Sequence, residues 1–241
     1  MMTEIQENEI TDYLIFQKLP LDILLEVKDH MISQIADLQM KENVGFEEAF
    51  HKTKILWEDE FKMTGYSFFY SEPIPVIAKK ILKTNNNEIL KKSILFGLIS
   101  LAVNLLLIYG SDTDKMYTLF FRLENFMFFL APVIVWVLNY KILKFIRTDF
   151  KYKGRLFYTI YQQNAGLLVI CLISMMQLVM KDGKPVYDSF RTDNHSEILN
   201  AVFALAFMFL LQTFMIFGLF NFFKHKKSLK KIQHFLQTSA V

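Results

Sequence analysis

The sequence predicts an all-α protein: a small cytosolic helical domain followed by a four-helix transmembrane bundle. Three observations carry this reading. Apolar residues in the first third recur at helical spacing, long uncharged runs fill the remainder, and charge divides unevenly between the two parts. The chain has 241 residues, with 27 Lys+Arg and 24 Asp+Glu. Residues 1–92 hold 16 acids and 11 bases, whereas residues 93–241 hold 8 acids and 16 bases. A hydrophobic fraction of 53% with 8 Gly and a single Cys excludes disorder, collagen-like repeats and a disulfide scaffold. Glu4, Glu7, Glu9 and Asp12 stand where a basic region and an early apolar run would mark a cleaved signal peptide, so none is expected.

The domain at residues 1–92 reads as a set of short helices. A first helix is expected over residues 9–18, with Tyr13, Leu14 and Phe16 apolar. Leu19-Pro20 ends it, and proline suits the start of the next helix because its missing N–H costs nothing there. The second helix, to about Leu38, carries an apolar stripe of Leu21, Leu24, Val27, Met31, Ile35 and Leu38. Its opposite face holds Glu26, Asp29, His30, Ser33 and Asp37, a candidate partner-binding surface. Gly45 breaks the chain. A third helix, Phe46–Phe61, sets Phe46, Phe50, Thr53, Trp57 and Phe61 on one face. Residues 65–75 form a loop by their Gly and two Pro. A basic fourth helix over 76–83 follows, and Asn85-Asn86-Asn87 marks a break.

Leu19-Pro20, Glu26, His30, Gly45, Glu47, Glu48, Ala49, Pro75, Ile77 and Ala78 together form a pattern. It resembles the HAAS-type helical domain, found at the cytosolic N-terminus of bacterial membrane proteins linked to signalling and as a prefix to some permeases. The resemblance covers residues 9–83, about a third of the chain. It implies a docking or regulatory module without an active site.

Four membrane spans are expected, over residues 93–110, 120–143, 161–180 and 198–223. The first is an 18-residue uncharged run, roughly 27 Å of helix against a bilayer core of about 30 Å. Lys79, Lys80, Lys83, Lys91 and Lys92 precede it. Lys141, Lys144, Arg147, Lys151, Lys153 and Arg155 fill the second loop, and Lys224, Lys226, Lys227, Lys230 and Lys231 the tail. With four spans all three basic segments fall on one side, which places both termini in the cytoplasm; taken with the resemblance above, the expected location is a bacterial inner membrane. In the tail, residues 224–241, Leu229, Ile232 and Leu236 have the spacing of a helix lying on an anionic leaflet. Leu143, Phe145 and Ile146 could do the same in the second loop.

Asn104, Asn125, Gln177, Asn200 and Gln212 are the polar residues inside the spans, expected to bond between helices. Pro132 is a candidate kink. Arg122 and Glu124 read as interfacial residues near the outer end of the second span, leaving no ionisable group at the centre of any span. That argues against a proton-driven pump. Cys171 reads as an inert buried thiol. Glu26 and His30 have the spacing of a metal pair, but a solvated face accounts for them. With no phosphate loop, nucleophile elbow or zinc motif, neither enzymatic activity nor a cofactor is expected. The basic residues hug the membrane segments, so nucleic acid is excluded as a partner. The expected partners are the lipid bilayer and a protein. The leading expectation is a regulatory or scaffold subunit; a transporter or permease subunit and a structural subunit of a larger complex are the alternatives.

Overall fold

The structure, a computed structural model, describes residues 2–66, 73–142, 158–191 and 198–238. It is all-α apart from one two-stranded pairing among the described residues. The chain divides into two compact units. The first takes in Met1–Asn86, Lys144–Gln162 and His225–Val241; the second takes in Asn87–Leu143 and Gln163–Lys224. The tail expected as a separate segment therefore belongs to the first unit.

In the first unit α1 spans Glu4–Phe16, α2 Leu21–Glu42 and α3 Phe46–Phe61. Helix α1 begins earlier than expected because Thr3 and Gln6 form a capping box, each side chain bonding the other's backbone N–H. Helix α2 runs past Leu38 to Asn43, whose left-handed φ of 54° ends it, a conformation Asn tolerates. The predicted stripe is buried at Leu21, Leu24, Val27, Met31 and Ile35, with Leu38 partly so. It meets Phe46, Ala49, Phe50 and Phe61 of α3, whose register follows the prediction. Tyr13 packs edge-on against Phe50, with ring centroids 5.8 Å apart, and the Trp57 Nε1–H donates to Gln34 Oε1 at 2.7 Å. Strands β1 (Met63–Thr64) and β2 (Ile74–Pro75) pair antiparallel and close the loop before α4.

Helix α4 spans Val76–Gly110, which merges the expected fourth helix and first span. Asn85, Asn86 and Asn87 lie inside it. Each Asn costs less than about 0.7 kcal/mol in a helix interior. No Gly or Pro occurs from Val76 to Phe96, and Asn86 Nδ2 donates to Tyr66 Oη at 3.1 Å.

The second unit sets α4, α5 (Asp114–Leu138), α7 (Leu167–Val179) and α9 (Ile198–Thr238) side by side, with α6 (Gln162–Ala165) and α8 (Lys184–Arg191) as short connectors. Three helices, α4, α5 and α9, are long and apolar enough to cross a membrane. Helix α7 corrects the expected third span. Its 13 residues rise only about 20 Å, because Gln162, Gln163 and Asn164 precede its apolar run and Gly166 separates it from α6. The second span is corrected as well. Thr113 Oγ1 accepts from Met116 N, and Asp114 sits in the first turn, so α5 starts at residue 114 and ends before residue 143.

Neighbouring residues fix the helix directions. Gly97 of α4 abuts Phe209 and Thr213 of α9, Gly218 of α9 abuts Leu168 of α7, and Gly183 just past α7 abuts Tyr117 of α5. The four helices therefore alternate in direction. Their shared core includes Ile108, Tyr117, Leu168, Met175, Met208, Met215 and Phe222. Helix α8 covers one end, where Tyr187 Oη donates to the Ser111 carbonyl at 3.1 Å and Arg191 Nη1 to that of Tyr109 at 3.3 Å.

The tail also departs from expectation. Helix α9 continues into it without a break, and Leu229 and Ile232 are buried. Their apolar face is used in packing within the protein and is not free to lie on a leaflet. The Leu236 side chain and the segment with Leu143, Phe145 and Ile146 lie outside the described residues.

Candidate functional site

The second unit is apolar outside and polar within. Leu95, Val103, Leu106, Phe126, Ile170 and Phe203 are among its exposed large side chains, whereas Asn104, Asn125, Gln212 and Thr213 are buried. The organising group is Glu124. It is the eleventh residue of α5, about 15 Å from Asp114 along the axis and so near mid-helix. The expectation that no ionisable residue sits at the centre of a span is therefore overturned. An α5 that starts at residue 114 moves Glu124 inward. Its carboxylate accepts from Ser100 Oγ at 2.6 Å and from Asn104 Nδ2 at 2.9 Å. Asn104 Oδ1 in turn accepts from Tyr117 Oη at 3.0 Å. Ser100 and Asn104 are one turn apart on α4 and grip both carboxylate oxygens. Every donor in this chain points toward the carboxylate.

Arg122 turns elsewhere: its side chain is exposed and Nε donates to the Lys181 carbonyl at 3.1 Å. It is joined there by Thr118, which donates to Asp182 Oδ1 at 2.9 Å. Asp182 also accepts from Lys184 N, and that bond, with Thr118's, holds its carboxyl below the usual range. Arg122 and Glu124, two residues apart and both read as interfacial, thus serve separate sites.

The other intramembrane amides divide. Asn125 Nδ2 bonds the Phe121 carbonyl at 2.8 Å and receives a longer contact, 3.4 Å, from Gln212 Nε2 at Oδ1. Gln212 Oε1 and Thr213 Oγ1 are buried without a hydrogen-bond partner. Gln177 and Asn200 are exposed on the outside of the bundle and take no part. Pro132 is buried inside α5, which runs through it; its ring removes the N–H that the Phe128 carbonyl would accept. Cys171 is a buried free thiol.

On the first unit, Glu26, Asp29, His30, Ser33 and Asp37 are all exposed on one side of α2. Ser33 Oγ bonds the Asp29 carbonyl of its own helix at 3.0 Å, and none of the five reaches another element among the described residues. By contrast Lys28, on the buried side, pairs with Glu7 of α1 at 3.4 Å. No group of three or more His, Cys, Asp or Glu among the described residues could hold a metal.

A second polar cluster in the first unit was not foreseen. Asp22, in the first turn of α2, accepts from Ile23 N at 3.0 Å and from Ile160 N at 3.2 Å, while its own N–H donates to the Tyr158 carbonyl. One residue along, Thr159 Oγ1 lies 2.7 Å from His225 Nδ1, and His225 Nε2 is buried without a partner. Burial pushes the Asp22 carboxyl up to about 7 despite the amide bonds that oppose it. Asp22 reads in sequence as an ordinary first-turn acid; only the fold brings residues 158–160 to it. Ser100 and Tyr117 carry no sequence signal as single residues. Their one available sign is the Ser100/Asn104 spacing opposite a capped α5.

The class defined by these features is an all-helical protein with three helices fit to cross a membrane, a partly buried carboxylate between two of them, and a small amphipathic helical module. No protein-family model matches the sequence, and comparisons with curated proteins and with solved structures returned no match.

Proposed function

We propose that the chain is an integral protein of a bacterial inner membrane, both termini cytoplasmic, whose helical module docks a protein partner as a regulatory or scaffold subunit. The observation that carries this is the face of α2. Three carboxylates and a histidine project from it with no partner on another element among the described residues, next to a helix side that is packed throughout. Solvated acids of this kind complement a basic surface. The resemblance of residues 9–83 to the HAAS-type domain supports the same reading, and the alternating helix directions support a bundle that begins and ends on one side. The apolar exterior of the second unit suits lipid contact.

A photo-crosslinking residue at Asp29, Ser33 or Asp37 should capture one discrete adduct in cells, and the same residue at exposed Glu58 on α3 should not. Adducts of equal yield from both faces, or none from α2 in any growth condition, would reject docking there. The transporter reading keeps one specific observation in its favour, the Glu124–Asn104 pair with Gln212 deeper in the bundle. Flux into proteoliposomes that is lost on Asn104→Leu or Gln212→Leu would select it.

A further inference from the structure

Glu124 is hydrogen-bonded but has no counter-charge. Neutral donors from Ser100 and Asn104 fill its oxygens, and among the described residues it makes no ion pair. It is also not sealed in: its side chain is only partly buried, in the seam between α4 and α5. Beside that seam Val103, Leu123 and Met127 expose 44%, 55% and 64% of their surfaces. An acid at mid-depth with an open apolar surround is costly in a bilayer, and such groups pair with a cation in their neighbourhood. The chain's own mid-helix cation, Arg122, is held at the Lys181 carbonyl.

We propose that the seam around Glu124 receives a membrane-spanning helix of a partner protein, one carrying a lysine or arginine near its middle. The cation closes on the carboxylate while the apolar flanks of the incoming helix cover Val103, Leu123 and Met127. Ser100 and Asn104, themselves tied to Tyr117, hold the carboxylate in place so that it does not turn inward when the site is empty. This rests on the membrane-spanning part of the functional reading and is independent of docking at α2.

The test uses the full chain in phosphatidylcholine vesicles and a defined probe: a dansyl-labelled, leucine-rich transmembrane peptide with one central lysine. Trp136 on α5, twelve residues from Glu124, serves as energy-transfer donor. The lysine peptide should quench tryptophan emission at about one-tenth the peptide-to-lipid ratio needed by an all-leucine peptide. Glu124→Gln, which keeps the side-chain volume, should abolish that difference. Changing the peptide leaves the protein untouched, so misfolding of a variant cannot produce the result. Equal quenching by both peptides, or full discrimination retained by Glu124→Gln, overturns the proposal. Glu124-dependent dimers formed without peptide assign the seam to a second copy and overturn it too. If the chain is stripped from vesicles by alkaline carbonate, the membrane reading fails with it; an inserted chain that does not discriminate defeats this proposal alone.

Discussion

Replacing Asp22 by asparagine should stabilise the first unit at neutral and alkaline pH, although the aspartate makes several hydrogen bonds. Burial raises its carboxyl from an ordinary 3.8 to about 7, with the charge of Glu26 one turn along adding to the effect. A carboxyl raised in this way binds its proton more tightly folded than unfolded. Folding therefore gains from it below pH 4, loses the gain as pH climbs through 7, and bears the whole penalty at pH 8. A separation of about 3 in pH sets a ceiling near ~4 kcal/mol. The carboxylate is only partly buried by its surface, so screening leaves roughly half of that, about 2 kcal/mol. Asparagine removes the charge and keeps one oxygen, and Oδ1 already accepts from both Ile23 and Ile160. Thermal unfolding in detergent should give Asp22→Asn a Tm roughly 5 °C above the parent at pH 8 and no advantage at pH 4. A variant less stable than the parent at pH 8, or an advantage unchanged between the two pH values, would refute the reasoning.

Asn104→Leu should cost about 2 kcal/mol in detergent unfolding, since it leaves both a Glu124 oxygen and the Tyr117 hydroxyl unpaired; Tyr117→Phe should cost less than half of that. A methyl group at Gly97 would collide with Thr213 Oγ1, so Gly97→Ala should destabilise the bundle by about 1–3 kcal/mol. Thr213→Ala should largely restore that variant and be near neutral alone, because the hydroxyl it removes has no partner. A reporter fused after Val241 should read cytoplasmic, like one fused ahead of residue 1, and opposite readings from the two would defeat the proposed orientation.

The sequence was most informative where burial alone decides the outcome. The α2 stripe and the bounds of α3 follow from apolar spacing, which depends on nothing distant. The apolar stretches of α4 and α9 follow from long runs without charge. Element ends were harder to read. Asn85–Asn87 resembled a break, yet three modest propensity costs do not stop a helix that tertiary contacts extend. Charge misled in α5. Arg122 and Glu124 read as interfacial residues at a span end, whereas both are good helix formers and the cap at Thr113 decides where the helix starts. A start six residues earlier than expected carries Glu124 from an edge of the helix to its middle. The Asp22–Ile160 contact lies 138 residues apart in sequence, and no local pattern announces it.

Helix α7 shows why helix length and helix count are separate questions. At about 20 Å it falls short of a bilayer core of about 30 Å, and by length alone it would be left out of the spans. Its neighbours give a different answer. Leu168 at its start touches Gly218 at the middle of α9, toward the end of that helix's apolar stretch, and Gly183 just past the end of α7 touches Tyr117 near the start of α5. It therefore runs from one end of the bundle to the other, antiparallel to α5. Removing it would leave α5 and α9 parallel, joined by a chain that must return without crossing. The polar residues at either side of α7, Asn164 bonded to Asn221 and Asp182 bonded to Thr118, extend its reach at both ends with groups that suit a headgroup region. A helix of this length would need local thinning of the bilayer to cross it, at a modest cost per ångström. Helix direction thus makes α7 one of four alternating helices in the bundle, of which α4, α5 and α9 are long and apolar enough to cross a membrane.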